Sequence, residues 1–330
     1  MKNKSNMYLY VAGIMIVFLI VLLFYKNNVN DKQIDKKTDE ETSLFSVQEI
    51  QCDKESDNLA LIDLKPCIVS DGKAYIYDNN EWNVVEFDND ITKVYNGDTF
   101  CALNSKGNII IIEENLGDYE AYPLTTASVY YNAEKMLEYT EKENVLLLGG
   151  NPLKSEYCIA YFDDGCTKMF INGQMIELSD SLKVVDISGG FILDEAGNVY
   201  KVSNSENLSN ISLKQISEKR YVSISACASA NRCIGICEDG SVTVWSDVDL
   251  KFTFNADNAK SAAMGFNYGV VLCDDGKIEF HSSNDKLEKQ LSEYFDNLNE
   301  KASAIACNYD CILVKLENGA CLKILCAVHA

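Results

Sequence analysis

Histidine is nearly missing from this chain: His281 and His329 are the only two in 330 residues. A Ser-His-Asp or Cys-His site would therefore have to use His281, which ends an apolar run (Lys277 to His281) that reads as a strand and places it on the surface. A phosphate-cradling G-x-x-x-x-G-K-[ST] loop and a G-x-S-x-G nucleophile elbow are both lacking. Basic charge is scarce as well. Formal charge is −21, and beyond residue 40 there are 23 basic against 46 acidic groups, a balance that repels nucleic acid and anionic lipid head groups. Acidic pairs such as Asp163-Asp164 and Asp274-Asp275 could serve a glycosidase or a calcium site, but in an Asp-Asp-Gly context they read as turn residues. No catalytic residue, metal ligand or cofactor site follows from the sequence.

Cysteine, by contrast, is abundant: there are thirteen, an odd number, with no C-x-x-C framework and no partner histidines to make a zinc site. Cys67, Cys101, Cys233, Cys237, Cys273 and Cys311 sit in or beside apolar runs, where cysteine acts as a small hydrophobe. Buried free thiols, a few disulfides, or a metal site are the three readings. Free thiols suit a reducing compartment or an anaerobic source.

Residues 1–6 form a short tail, and Met7 to Tyr25 is an uncharged apolar stretch. As a helix it spans roughly 28 Å at about 1.5 Å per residue, close to the hydrocarbon thickness of a bilayer. Tyr8, Tyr10 and Tyr25 lie near its ends, where aromatic rings favour the interface. A cleavable signal peptide is the rival reading, but Lys26-Asn27-Asn28 lacks the small-x-small cleavage pattern. A retained signal anchor is expected, with residues 26–43 as a polar stalk. Flanking lysines are nearly balanced across the span. A short tail ahead of a long acidic body suggests a single-pass protein of the cell membrane with its body outside the cytoplasm.

From residue 44 to 330 one unit recurs: apolar strand, small-residue loop, apolar strand, tight reversal, apolar strand. Reversals that precede an apolar run fall at Asp71-Gly72, Lys106-Gly107, Glu143-Asn144, Ala196-Gly197, Asp239-Gly240, Asp275-Gly276 and Asn318-Gly319. Seven units of about forty residues are the signature of an all-β, seven-bladed β-propeller. The interval from Glu143 to Gly197 is the longest and holds a further reversal at Asp164-Gly165, read as an extra hairpin in that blade; an eighth, shorter blade is the alternative. Between the last two units, residues 283–301 carry Leu287, Leu291, Tyr294, Phe295 and Leu298 at helical spacing, with Ser283 or Asn284 as the cap. That amphipathic helix packs on the outside of a blade or docks a partner. The alternation in Leu44 to Ile50 suits an outer strand for the last sheet, which would join the two ends of the chain.

Two units carry a more specific pattern. In Met264 to Gly276 a glycine, Gly265, precedes Tyr268 and an apolar run that ends in Asp275-Gly276. In Ala228 to Ser246, Arg232 takes the place of that tyrosine and Trp245 closes the strand after Asp239-Gly240. This resembles the repeat of the regulator of chromosome condensation family, roughly I-x-A-G-x-x-H-T-x-A-L-x-x-D-G-x-V-Y-x-W-G. Tyr268 and Arg232 stand where that family has histidine, so a blade-to-blade contact made there by histidine must be made differently. The resemblance implies a seven-bladed scaffold whose loops recognise proteins, and some bacterial relatives bind and inhibit enzymes. It carries over no nucleotide-exchange or chromatin-binding residue.

The loops between first and second strands gather on one face of such a ring. The best-defined candidates for partner contact are Ala230, Asn231, Arg232, Phe266, Asn267 and Tyr268, with packing of Phe266 and Tyr268 between blades as the alternative. The sequence thus points to a bacterial, membrane-anchored, non-catalytic protein-binding or scaffolding module. An enzyme acting on polysaccharide or peptide through acids in the central channel is one alternative, and an accessory subunit of a cell-envelope complex is another. Acids converging on the ring axis would favour the enzyme; an apolar or aromatic patch on one face would favour the binder.

Overall fold

A computed structural model describes residues 43–55, 58–62, 64–85, 89–97, 100–112, 144–149, 157–171, 173–203, 211–227, 232–245, 253–256 and 258–327. The expected anchor at Met7 to Tyr25, most of the stalk, and His329 lie outside these residues. Among the described residues no helix is long and apolar enough to cross a membrane.

Strand β1 (Phe45–Ile50) comes first in the chain and belongs to the last sheet. Blade one is β2 (Asn58–Ile62), β3 (Lys65–Ser70), β4 (Lys73–Asp78) and β5 (Glu81–Val85). Blade two is β6 (Ile91–Val94), β7 (Phe100–Asn104) and β8 (Ile109–Ile112). Blade three is β9 (Val145–Gly149), β10 (Tyr157–Phe162), β11 (Thr167–Ile171) and β12 (Gln174–Ser179). Blade four is β13 (Val184–Ser188), β14 (Phe191–Asp194), β15 (Val199–Ser203) and β16 (Ser212–Gln215). Blade five is β17 (Tyr221–Cys227), β18 (Arg232–Cys237), β19 (Ser241–Trp245) and β20 (Thr253–Asn255). Blade six is β21 (Ala259–Met264), β22 (Tyr268–Cys273) and β23 (Ile278–Ser282), followed by helix α1 (Asp285–Asp296). Blade seven is β24 (Ala302–Asn308), β25 (Cys311–Leu316), β26 (Cys321–Cys326) and, at its outer edge, β1. Seven antiparallel sheets make a seven-bladed propeller.

The ring is closed by two devices. Strand β1 pairs with β26 in register from Phe45 opposite Cys326 to Ile50 opposite Cys321, so the last sheet is woven from both ends of the chain. The apolar core then falls into seven clusters, one at each junction of neighbouring blades, including the seventh-to-first junction of Cys311, Leu313 and Cys321 with Leu61 and Ile68. A single blade has no core of its own. Each sheet is stabilised by the two beside it, which is why the repeat must close.

Reversals between second and third strands are built alike. Gly72, Gly107, Gly165, Gly197, Gly240, Gly276 and Gly319 all take positive φ, between 74° and 96°, where a side chain would be strained. The third blade therefore turns at Gly165. Glu143-Asn144 is not its hairpin: Val145 to Gly149 form the inner strand, so Asp164-Gly165 is the blade's own reversal rather than an extra one, and the described residues form seven sheets, not eight. A reversal before an apolar run marks the start of an inner strand as readily as that of a third strand, and pattern alone does not separate them. Turn glycines also stitch blades together. The carbonyls of Gly72, Gly107, Gly197 and Gly276 accept hydrogen bonds from Ile91, Val145, Tyr221 and Ala302, each the first residue of the next inner strand, at 2.7 to 2.9 Å.

Helix α1 lies beside β23, where other blades carry a fourth strand. Asn284 caps it by accepting from the backbone N–H groups of Lys286 and Leu287. Leu287, Leu291 and Phe295 are buried against blades six and seven, so the helix covers an edge rather than offering its apolar face. It also braces the closing strand: Leu44 N–H donates to Gln290 Oε1 at 2.8 Å, and the Phe45 and Tyr294 rings meet edge-on at 5.4 Å.

Candidate functional site

Each inner strand runs from the face that carries the glycine turns to the face that carries the loops between first and second strands. The described candidates, Arg232, Phe266, Asn267 and Tyr268, belong to the second face. Ala230 and Asn231 lie outside the described residues. Arg232 opens β18, is buried, and sends its guanidinium to blade six, where Nη1 donates to the Phe266 carbonyl and to Asn267 Oδ1 and the group lies 5.0 Å from the Phe266 ring centre. Phe266 in turn stacks on Tyr309 of blade seven, centroids 5.6 Å apart and planes within 8°. Tyr309 was not distinguishable by motif; its only sequence signal is that it occupies the same loop in the next unit. Tyr268 is fully buried between blades, 5.3 Å from the Phe280 ring, and presents nothing to a partner. On this face Arg232, Phe266 and Asn267 are engaged in joining blades, and Tyr309 is left 42% exposed.

A cavity of about 230 Å³ opens among the inner strands of six blades and is lined mainly by their residues, among them Asn58, Lys93, Asn96, Asp186, Ser188 and Asn308. Their amides and hydroxyls largely tie inner strands together: Asn58 Oδ1 accepts from Val94 N–H, Asn96 Oδ1 from Leu61 N–H and Ser188 Oγ from Ala226 N–H, each at 2.8 Å. Among the described lining residues Asp186 is the one carboxylate. Burial raises its pKa, opposed by the Lys93 charge and by the backbone N–H groups of Ile187 and Ile224. His281, on β23, stands between Glu279 and Glu288 at 3.7 and 3.5 Å, and the Asp-Asp pairs sit in turns, where Asp164 and Asp275 accept from the N–H groups of Cys166 and Lys277.

The turn face carries a different feature. In six blades the ladder between first and second strands slips at the second residue of the inner strand, leaving Thr92, Leu146, Val185, Val222, Lys260 and Ser303 out of register. A bulge of this kind re-aims the extra side chain out of the sheet. Where it is a hydroxyl, the group folds back: Thr92 Oγ1 donates to the Leu103 carbonyl and Ser303 Oγ to that of Lys315, at 3.0 and 3.2 Å. On blades three, four and five it is aliphatic and cannot do so. Leu146, Val185 and Val222 stay 50%, 51% and 59% exposed, an apolar arc on three successive blades. Ion pairs border it, Lys183 with Glu195 at 2.9 Å and Lys219 with Asp239 at 2.8 Å. An apolar centre inside a charged rim is the anatomy of a protein-binding patch. No local sequence signal marks these three residues, because each occupies an apolar strand position and a bulge is set by the pairing of two strands.

No family model matches the chain, and no curated protein matches it. Solved structures do share the fold. Human WBSCR16 is 10% identical with a TM-score of 0.53, over 84% of this chain and 88% of that one. A structure of Kap60 bound to yeast RCC1 (Prp20) matches with 14% identity and a TM-score of 0.52, over 88% of this chain and 85% of the matched one. At such identities the likeness is one of fold.

Proposed function

We propose that this chain is a non-catalytic protein-binding module, tethered to a bacterial membrane through Met7 to Tyr25, that recognises its partner with the turn face of blades three to five. The observation that carries this reading is the exposed arc of Leu146, Val185 and Val222 inside its charged border. Scattered exposed aliphatics are ordinary, whereas three at the same repeat position on consecutive blades form a surface. Among the similar propellers, yeast RCC1 is seen in complex with Kap60. The cavity among the inner strands supports the enzyme reading less well, since glycosidases use two carboxylates and Asp186 stands alone among its described lining residues.

The test is a pair of surface variants, Val185→Glu and Val222→Glu, in the full-length protein purified from detergent-solubilised membranes. A partner should co-purify stoichiometrically with the native chain and be lost from both variants while their melting temperatures stay unchanged. Retention of the partner by the variants, or its loss only on replacing Tyr309, would move the site to the opposite face. Protease added to intact cells tests the tether separately: removal of a C-terminal tag before lysis is expected for a propeller outside the cytoplasm, and protection until lysis would reverse that orientation.

A further inference from the structure

The seam where the ring closes holds a group of side chains that packing alone does not explain. Cys52 follows β1 by two residues in a segment that lies along the surface, while Cys321 is the residue of β26 that faces Ile50 at the end of the closing ladder. The two side chains lie in the same buried cluster at the seam, with Ile50, Cys311 and Leu313. Beside them is Lys315, 5% exposed, whose Nζ donates to the Cys52 carbonyl at 3.0 Å and to the Gly319 carbonyl at 2.7 Å. Among the described residues no carboxylate pairs with this ammonium. A buried cation without a counter-ion favours an anion nearby, and the group placed to become one is the Cys52 thiol.

We propose that Cys52 and Cys321 form a reversible redox clasp across the closing seam, in which a peroxide oxidises Cys52 and Cys321 resolves the product into a disulfide. The Cys52 thiolate attacks one oxygen of the peroxide, breaking the O–O bond and giving a sulfenic acid and hydroxide. Cys321 sulfur then attacks the Cys52 sulfur, the S–O bond breaks, and the S–H proton leaves with the departing hydroxide as water. For hydrogen peroxide the balance is two thiols and one peroxide in, one disulfide and two waters out. A small oxidant suits the site because Cys52 is 5% exposed and Cys321 is fully buried.

The roles differ because the surroundings differ. The neighbouring Cys321 thiol, then the Lys54 backbone N–H and the Lys315 charge, hold Cys52 down to about 6 against the upward push of burial. Cys321 is raised, by the Cys52 thiol beside it and by burial. Burial pushes Cys67, Cys101 and Cys326 up to about 12, so these thiols stay protonated and inert. The disulfide would join the segment after the first strand to the last one, turning a non-covalent closure into a covalent one. Cys52 lies outside any regular element and can shift to bring the sulfurs to bonding distance.

The experiment uses the full-length, reduced protein. It is treated with equimolar hydrogen peroxide, free thiols are blocked with N-ethylmaleimide, and the unreduced digest is read by mass spectrometry. The expected product is a Cys52–Cys321 peptide pair lighter by two hydrogens, absent in Cys52→Ser and Cys321→Ser and present in Cys311→Ser. Its rate of formation should rise with a midpoint near pH 6, and the oxidised protein should melt at a higher temperature that a thiol reductant lowers again. Oxidation of Cys52 to the sulfinic acid with Cys321 still free, a link between other cysteines, or no link before the protein unfolds would each overturn the clasp.

Discussion

Gly265 packs so closely against Tyr268 that the smallest possible enlargement should be costly. A Cβ at position 265 would sit 2.2 Å from Cζ, 2.4 Å from Cε2 and 2.6 Å from Cε1 of the Tyr268 ring. Carbon atoms in contact prefer about 3.5–4.0 Å, so in Gly265→Ala the ring must retreat by roughly 1.5 Å. It has nowhere to go, being fully buried among Val270, Phe280, Cys307 and Ile312 between blades six and seven. Overpacking of that kind costs about 3 kcal/mol. Tyr268→Ala alone should also be destabilising, by about 3–5 kcal/mol for the cavity it leaves. In the double variant the new methyl occupies part of that cavity, so the combined loss should fall short of the sum by about 2 kcal/mol or more, the coupling expected of residues in direct contact. Urea unfolding followed by tryptophan fluorescence and circular dichroism reads this out, with the slope unchanged and the midpoint shifted. Strict additivity within about 0.5 kcal/mol would refute the reasoning, as would a Gly265→Ala protein that unfolds with the native one.

The Tyr268 hydroxyl is buried without a hydrogen-bond partner. Tyr268→Phe should therefore stabilise by about 1 kcal/mol, seen as a raised melting temperature; a loss of stability would mean that the hydroxyl is satisfied. Asp186 has its pKa raised by burial. Its stabilising contribution is present below the ordinary carboxylate pKa, where both states hold the proton, and is lost as pH rises through the folded value. Asp186→Asn should thus be more stable than the native protein at neutral pH and lose that advantage in acid; an advantage that grows in acid would contradict the assignment. Asn284→Ala removes the helix cap and should cost about 1 kcal/mol, with helix α1 the first region to lose amide-exchange protection.

Seven-fold repetition was legible because turn chemistry is local. A glycine at positive φ before an apolar run is needed wherever a blade reverses, whatever lies around it, and Gly72, Gly240, Gly276 and Gly319 announce this in the sequence. The helix of residues 283–301 was legible for the same reason, since a cap and an apolar stripe belong to one short segment. The reversal at Glu143 does not by itself reveal the inner strand of blade three, because the distinction between an inner and a third strand depends on which strand lies across from it. The sites were decided by tertiary structure almost entirely. Whether Tyr268 faces solvent or Phe280, and whether Arg232 reaches a ligand or the carbonyl of Phe266, depends on how neighbouring blades meet. Leu146, Val185 and Val222 face outward because of a slip in register between two strands, which the sequence of one strand does not encode. Cys52 and Cys321 are far apart in the chain and become neighbours only when β1 pairs with β26, a long-range pairing that no local pattern of residues encodes.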